Sequence, residues 1–312
     1  MPVSWRLSCS KQAAELNKSF YFTEIFYIIK LFRSIYERKD SVVQVIACVK
    51  QVPDTTQVKI DPNTGTLIRE GVPFIMNPFD VHALEEALRL KDKYGFRVAV
   101  ISMGPPNAVV TLKKALAVGA DEAILLSDRA FGGADTLATS KVLAEAIRRL
   151  NEKEEVALVI CGKQTIDGDT AQVGPGIASR LKYIQLTLVD YIQNVDLKTK
   201  KVIVRRKLEG RHEVVEAVMP AMITVVREIN HPRYPTVPKR LAAETAEVVV
   251  WDNKVLKLDE NTIGLKGSPT QVRRIFSPER AKGEIIGDGV NKPAETANML
   301  VDKLVGKDIV SL

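Results

Sequence analysis

Cysteine is scarce in this 312-residue chain: Cys9, Cys48 and Cys161 are the full set, and no two form a CxxC pair. Histidine is as rare, with only His82, His212 and His231, far apart. These counts argue against a disulfide framework, a zinc site and an iron–sulfur site, and the thiols suit a reducing, cytoplasmic setting. No apolar run approaches the roughly 18 residues that a membrane-spanning helix needs. No GxGxxG follows the first predicted strand, the spacing of a Walker A loop is missing, and no GxSxG occurs. With three isolated histidines a Ser/His/Asp arrangement is hard to assemble. Lys and Arg total 45 against 38 Asp and Glu, a net +7 spread along the chain. No basic block carries interleaved aromatics, so nucleic acid is not the expected partner.

Residues 1–41 stand apart from the rest. Phe20, Tyr21 and Phe22 and the run from Ile25 to Ile29 are apolar, but Glu24 and Lys30 interrupt them and no small-residue cleavage site follows. That pattern argues against a secretory signal. The segment is read as an extension outside the core fold, as from a start codon assigned too far upstream. An amphipathic helix resting on a membrane or a partner stays open.

From residue 42 short β-rich runs alternate with helical periodicity. Residues 42–48, 97–103, 123–126 and 156–161 read as strands, the first being a near-continuous apolar run suited to burial on both faces. Residues 79–94, a segment through Val109, Leu112 and Leu116 that Gly119 ends, and residues 135–150 read as helices. Asn77 is the expected cap of the first helix, Pro78 its first residue, and Asp80 a match for its positive end. The alternation predicts an α/β fold, a mostly parallel doubly wound nucleotide-binding sheet whose ligands settle beyond the carboxyl ends of the strands. Residues 201–206, 213–217 and 221–227 predict a small β addition. Pro232, Pro235 and Pro238 mark 230–239 as an extended loop. A short strand at 248–251 and a helix at 294–304 follow in an extended C-terminal arm.

Residues 162–175, GKQTIDGDTAQVGP, directly follow the fourth predicted strand. Glycines admit close backbone approach, and Asp169 with Gln172 three residues later suggests a helix start, with Pro175 either kinking that helix or marking a later start capped near Gly174. Free N–H groups at such a start suit a phosphate, and Thr, Gln and Asp side chains can bond ribose or adenine edges. A ligand-free connector is the competing reading of the loop taken alone. No carboxylate pair is spaced as acid and base, so the motifs indicate nucleotide binding without bond-breaking machinery.

From about residue 42 onward the chain resembles the β subunit of electron transfer flavoprotein. The resemblance is carried by VRRKLEGRHEVVEAVMPAMIT at 204–224, CVKQVPD at 48–54, MNP at 76–78 and the 162–175 loop. Arg211 departs from the family, which usually has Gly or an acidic residue there. The resemblance implies a domain at 42–240 that pairs with an α subunit, a partner-docking loop near 229–238, and an arm at 241–312 contacting that subunit. It implies that FAD, or in the alternative AMP, rests among Ala47, Cys48, Lys50, Asn77, Ser102, Met103 and Gly104. Lys163, Gln164, Thr165, Asp167, Gly168, Asp169, Thr170, Ala171, Gln172, Val173 and Gly174 complete the set. Lys50 is either a phosphate partner or a solvated strand-end lysine; Cys48 is read as a small buried hydrophobe. In the docking loop Ile229 is the expected apolar anchor, with Asn230, Pro232, Arg233 and Tyr234 beside it.

Residues 52–55, 61–67, 71–73 and 167–175 are similar to the FAD-containing, bifurcating group, and small Gly168 and Ala171 leave room for a pyrophosphate. That resemblance implies an oxidoreductase subunit whose FAD takes a hydride from NADH. Its electrons part toward a ferredoxin or flavodoxin and toward a dehydrogenase or quinone-linked flavoprotein, the last of which would bring the complex to the inner face of the membrane. Two other readings stay open: a simple carrier subunit holding AMP structurally, and a homodimeric nucleotide sensor of stress type.

Overall fold

In β1 (Gln44–Cys48) side chains serve two faces by turns: Val45 and Ala47 join one hydrophobic cluster, Ile46 and Cys48 the other. A strand covered on both sides must be apolar at successive positions, which explains the near-continuous run. The computed structural model describes residues 43–54, 59–60, 67–68, 73–271 and 283–310. The expected N-terminal extension, and most of the 55–72 stretch that carries part of the resemblance, lie outside the described residues.

The remaining principal strands are β2 (Gln51–Pro53), β3 (Phe74–Met76), β4 (Arg97–Met103), β5 (Glu122–Leu126) and β6 (Val156–Gly162). They are followed by β7 (Ile184–Asp196), β8 (Lys201–Leu208), β9 (Arg211–Val218), β10 (Ala221–Val225) and β11 (Val249–Trp251). One sheet takes nine of these in the order β9-β8-β7-β10-β6-β1-β4-β5-β11. The pairings β7 with β8 and β8 with β9 are antiparallel; the other pairings of this sheet are parallel. The predicted fold class and the small β addition are both seen.

The helices are α1 (Pro78–Tyr94), α2 (Val109–Val118), α3 (Thr136–Lys153), α4 (Val173–Leu181), α5 (Val237–Thr245), α6 (Asn253–Leu256) and α7 (Pro293–Val305). From β1 the chain steps one way to β4 and β5, then returns past β1 to β6 on its other side. Right-handed crossovers in opposite directions put helices on opposite faces. Accordingly Leu84 and Leu88 of α1 and Leu112 of α2 pack in one cluster, and Ile147 of α3 and Ile177 of α4 in the other. The reversal beside β1 makes a crevice at the carboxyl ends of β1 and β6, where such sheets bind ligands.

Three expectations need correction. Residues 230–239 are not loop throughout, because α5 begins at Val237 with Pro238 in its first turn, where no N–H is needed. Of the two starts open for the helix after the loop, the one at Asp169 falls, since that residue has φ +55°; the helix starts at Val173, close to the later start. Residues 241–271, expected in the C-terminal arm, stay with the larger unit, since β11 pairs with β5 and Trp251, Leu256 and Ile263 are buried in its core. A second, separate unit holds residues 283–310, in which Lys303 near the end of α7 pairs with Glu284. No helix among the described residues is long and apolar enough to cross a membrane.

Candidate functional site

β1 lies between β4 and β6, so the sheet itself brings together the ends at Cys48–Lys50, Ser102–Gly104 and Gly162–Lys163. The register pairs Ala47 with Val100 and Ile160, and Cys48 with Ile101 and Cys161. Beneath the crevice Cys48 and Cys161 are buried, and burial pushes both thiols well above their usual range, so they remain neutral and unreactive. Ala47 is likewise sealed in the core.

The loop after β6 is held from below. Asn77 is fully buried; its side-chain amide donates to the Gln164 carbonyl at 2.9 Å and accepts from the Ile166 N–H at 3.2 Å. It occupies the N-cap position of α1 but makes no side-chain cap bond, contrary to its expected role. Lys50 reaches across from β1, its Nζ 2.7 and 2.9 Å from the two carboxylate oxygens of Asp167. Burial raises the Asp167 pKa, but Lys50 and the Thr165 hydroxyl outweigh it and hold the carboxyl below its ordinary value. Inside the loop the Asp169 N–H closes a turn on the Thr165 carbonyl at 2.9 Å, and Gln164 donates to the Asp169 carboxylate.

The outer turn is open to solvent at Gly168, Asp169, Thr170, Ala171 and Gln172. Asp169 and Ala171 both have left-handed backbone, with φ +55° and +56°. Such conformations cost on the order of 1 kcal/mol or more and are kept where the surroundings impose them. Gln172 is tied to α3 through the Thr136 hydroxyl at 2.9 Å. A Cβ on Gly168 would meet only Thr165 Oγ1, at an ordinary 3.6 Å. Gly174 faces the other way: a Cβ there would lie 2.7 Å from Thr224 Cγ2 and 3.0 Å from Cys161 Sγ. Its role is the close seating of α4 on the sheet; Val173 also packs partly against that core.

On the β4 side Ser102 is 1% exposed and its hydroxyl has no partner among the described residues. A buried polar atom left open at a strand end fits a ligand that supplies the missing hydrogen bond. Met103 packs against the second cluster, and the Gly104 N–H is used by the Leu126 carbonyl at 3.1 Å. The crevice thus combines an orphaned hydroxyl, a lysine and an exposed turn of small and polar residues. Such groups have the chemistry to bond a nucleotide.

The reading of the sequence missed Asp80. Its sequence position fits a match for the helix dipole, yet its buried carboxylate accepts the N–H groups of Lys50 at 2.8 Å and Gly162 at 3.0 Å. Its position in the first turn of a helix directly after Asn77–Pro78 was the available signal, and that signal fits a plain dipole role equally well.

The expected docking loop is fastened to α1. The Arg233 guanidinium contacts both Glu85 oxygens and Asp92, and Asn230 donates to the His82 carbonyl and to Glu86. Burial raises the Glu86 pKa, partly offset by Asn230 and Arg89. Ile229 is 5% exposed and packs in the core, so it is no exposed anchor; Tyr234, at 93%, and Val237 are the large exposed apolar side chains of this loop. Pro232 stands between these clamps.

Residues 64–256 match the family model of the electron transfer flavoprotein domain. The chain is 49% identical to the caffeyl-CoA reductase-Etf complex subunit CarD of Acetobacterium woodii, over 86% of this chain and 100% of that protein. It is 51% identical to an electron transfer flavoprotein subunit beta of Clostridium acetobutylicum, over 83% of this chain and 97% of that one. To protein FixA of Azotobacter vinelandii it is 48% identical, over 83% and 93% of the two chains.

Proposed function

This chain belongs to the electron transfer flavoprotein family, among its β subunits, and from that footing we propose that it binds FAD in the crevice at the ends of β1, β4 and β6 and works with an α-type subunit in bifurcating electron transfer. The observation that carries the reading is the loop after β6, clamped below by Asn77 and Lys50 while its turn at 168–172 stays open. Gly168 keeps the space beside Thr165 free for a pyrophosphate. Ser102 and the outer-turn side chains would bond the nucleotide, and Lys50 would face its phosphates. Bound FAD would supply the redox chemistry, two-electron uptake from NADH and one-electron delivery to separate acceptors. The chain's own residues bind, orient and shield.

The acceptors in this reading are a ferredoxin or flavodoxin and a dehydrogenase or quinone-linked flavoprotein, the latter meeting the loop at 229–238. One observation favours the AMP alternative: the Lys50 charge is already matched by Asp167, which lowers the local demand for a second phosphate. Counting cofactors separates the two. The chain is co-expressed with its α-type partner, and FAD and AMP are quantified per heterodimer after denaturation. Two FAD are expected; one FAD with one AMP overturns bifurcation in favour of the carrier, and no flavin favours the sensor. Gly168→Leu should cost one FAD and spare the other. Retention of both would refute the placement of the pyrophosphate.

A further inference from the structure

A side chain buried below the crevice joins its two sides. Asp80, 4% exposed, takes one amide from each of the strands that flank the switch point, Lys50 after β1 through Oδ2 and Gly162 at the end of β6 through Oδ1. Both amides lead straight into the loop's supports: Lys50 carries the Nζ that meets Asp167, and Gly162 precedes Lys163 and Gln164. The Asn77 side chain, which holds the Gln164 carbonyl and the Ile166 N–H, also lowers the Asp80 pKa, and its backbone carbonyl accepts the Asp80 N–H at 2.8 Å. Gly162 has no room for a side chain here, since a Cβ would lie 2.6 Å from Asp80 Oδ1 and 2.5 Å from Phe79 Cβ.

We propose that Asp80 is a positioning residue for the nucleotide: its ionised carboxylate, by fixing the Lys50 and Gly162 amides together, sets the loop at 163–172 in its binding shape. The inference rests on the crevice being the nucleotide site, and it goes further in assigning ligand affinity to a group that does not line the loop. An amide cannot replace the carboxylate, because its NH2 end would face one of the two backbone donors. A protonated carboxyl has the same defect at one oxygen. Burial raises the Asp80 pKa to about 7, against the pull of its hydrogen bonds and Lys50. The other titratable groups facing it are Cys48 and Cys161, both held neutral by burial. Affinity therefore falls as pH drops from 8 to 6 through the loss of the ionised form.

Asp121, less buried than Asp80, provides a control for a carboxylate that holds a strand amide away from the crevice. Its carboxylate also accepts a strand amide, Val98 N–H at 2.9 Å, and meets Lys91 at 2.5 Å, but at the amino end of β4, away from the crevice. The full chain is titrated with FAD and with AMP by calorimetry between pH 6 and 8, as wild type, Asp80→Asn and Asp121→Asn. Asp80→Asn should weaken binding about tenfold and flatten the pH dependence, whereas Asp121→Asn should lower the melting temperature and leave affinity and pH profile unchanged. Subtracting the Asp80→Asn profile from that of the wild type cancels the ligand's own titration. Adding Asn77→Ala to Asp80→Asn should cost less than the sum of the single losses. Equal affinities for the two aspartate variants, or a wild-type affinity flat across this range, overturns the proposal. If Asp80→Asn does not fold, the wild-type profile decides the matter when read with FAD or with the methyl ester of AMP, whose phosphates do not ionise between pH 6 and 8. Binding of AMP without FAD would end the bifurcating reading while the Asp80 dependence stands; binding of neither ends both.

Discussion

Of two glycines of the same loop, one should tolerate an added methyl group and the other should not. At Gly174 a Cβ would sit 2.7 Å from Thr224 Cγ2, 3.0 Å from Cys161 Sγ and 3.3 Å from Met222 Cε. The Met222 methyl can swing away, but Thr224 is β-branched and stands on β10, and Cys161 is locked within β6. Either the first turn of α4 lifts or the sheet gives. Overpacking of this kind costs about 1–3 kcal/mol, while replacing Gly by Ala in a helix returns at most about 1 kcal/mol, less in a first turn. Gly174→Ala should therefore lose about 1–2 kcal/mol, which for a domain of this size is a melting point lower by about 2–8 °C. At Gly168 the nearest atom would be 3.6 Å away, and Gly168→Ala should stay within about 0.5 kcal/mol of wild type. Thermal and urea unfolding of the full chain, with m-values compared, measure both. A Gly174→Ala protein as stable as wild type would refute the close seating of α4, and destabilisation by Gly168→Ala would refute the openness of the turn.

Lys50→Met removes a partly exposed ion pair and should cost less than about 1 kcal/mol. Asp167 has a folded pKa below its ordinary value, so the stability it derives from Lys50 is present above that value and lost as pH falls through the lower, folded one. The gap between wild type and Lys50→Met should thus persist at neutral pH and close in strong acid; a gap that widens in acid would contradict the pairing. Arg233→Ala strands Glu85, whose side chain is 7% exposed, and should cost about 2–3 kcal/mol, moderated by the partial exposure of the arginine. Limited proteolysis should then cut near Tyr234 faster than in wild type, and equal cutting rates would mean that the loop is held by other contacts.

The strands that define the switch point were legible because burial on both faces leaves a near-continuous apolar run, as in β1 and β6. β7 was not. Leu188 has φ +59°, and the pairing of β7 with β10 shifts register beside it, so the alternation that would mark a strand is broken midway. α5 was hidden by its neighbours, since Pro232, Pro235 and Pro238 count alike as breakers although Pro238 lies in a first turn.

At the site the failures share a different cause. Asn77 and Asp80 each satisfied a local rule for the start of a helix, which left no residual signal to be explained by anything distant. The structure shows why both were available for longer contacts. Pro78 already fixes the first turn of α1, and the backbone carbonyl of Asn77 accepts the N–H groups of Asp80 and Val81, so its side chain is not needed as a cap. It reaches instead a loop 87 residues away, and Asp80 bonds Gly162 82 residues away. A polar residue at a helix start that is buried has a desolvation cost that a cap or dipole role in solvent would not impose. Asn77 and Asp80 carry that cost, and the hydrogen bonds that offset it are the ones that shape the crevice.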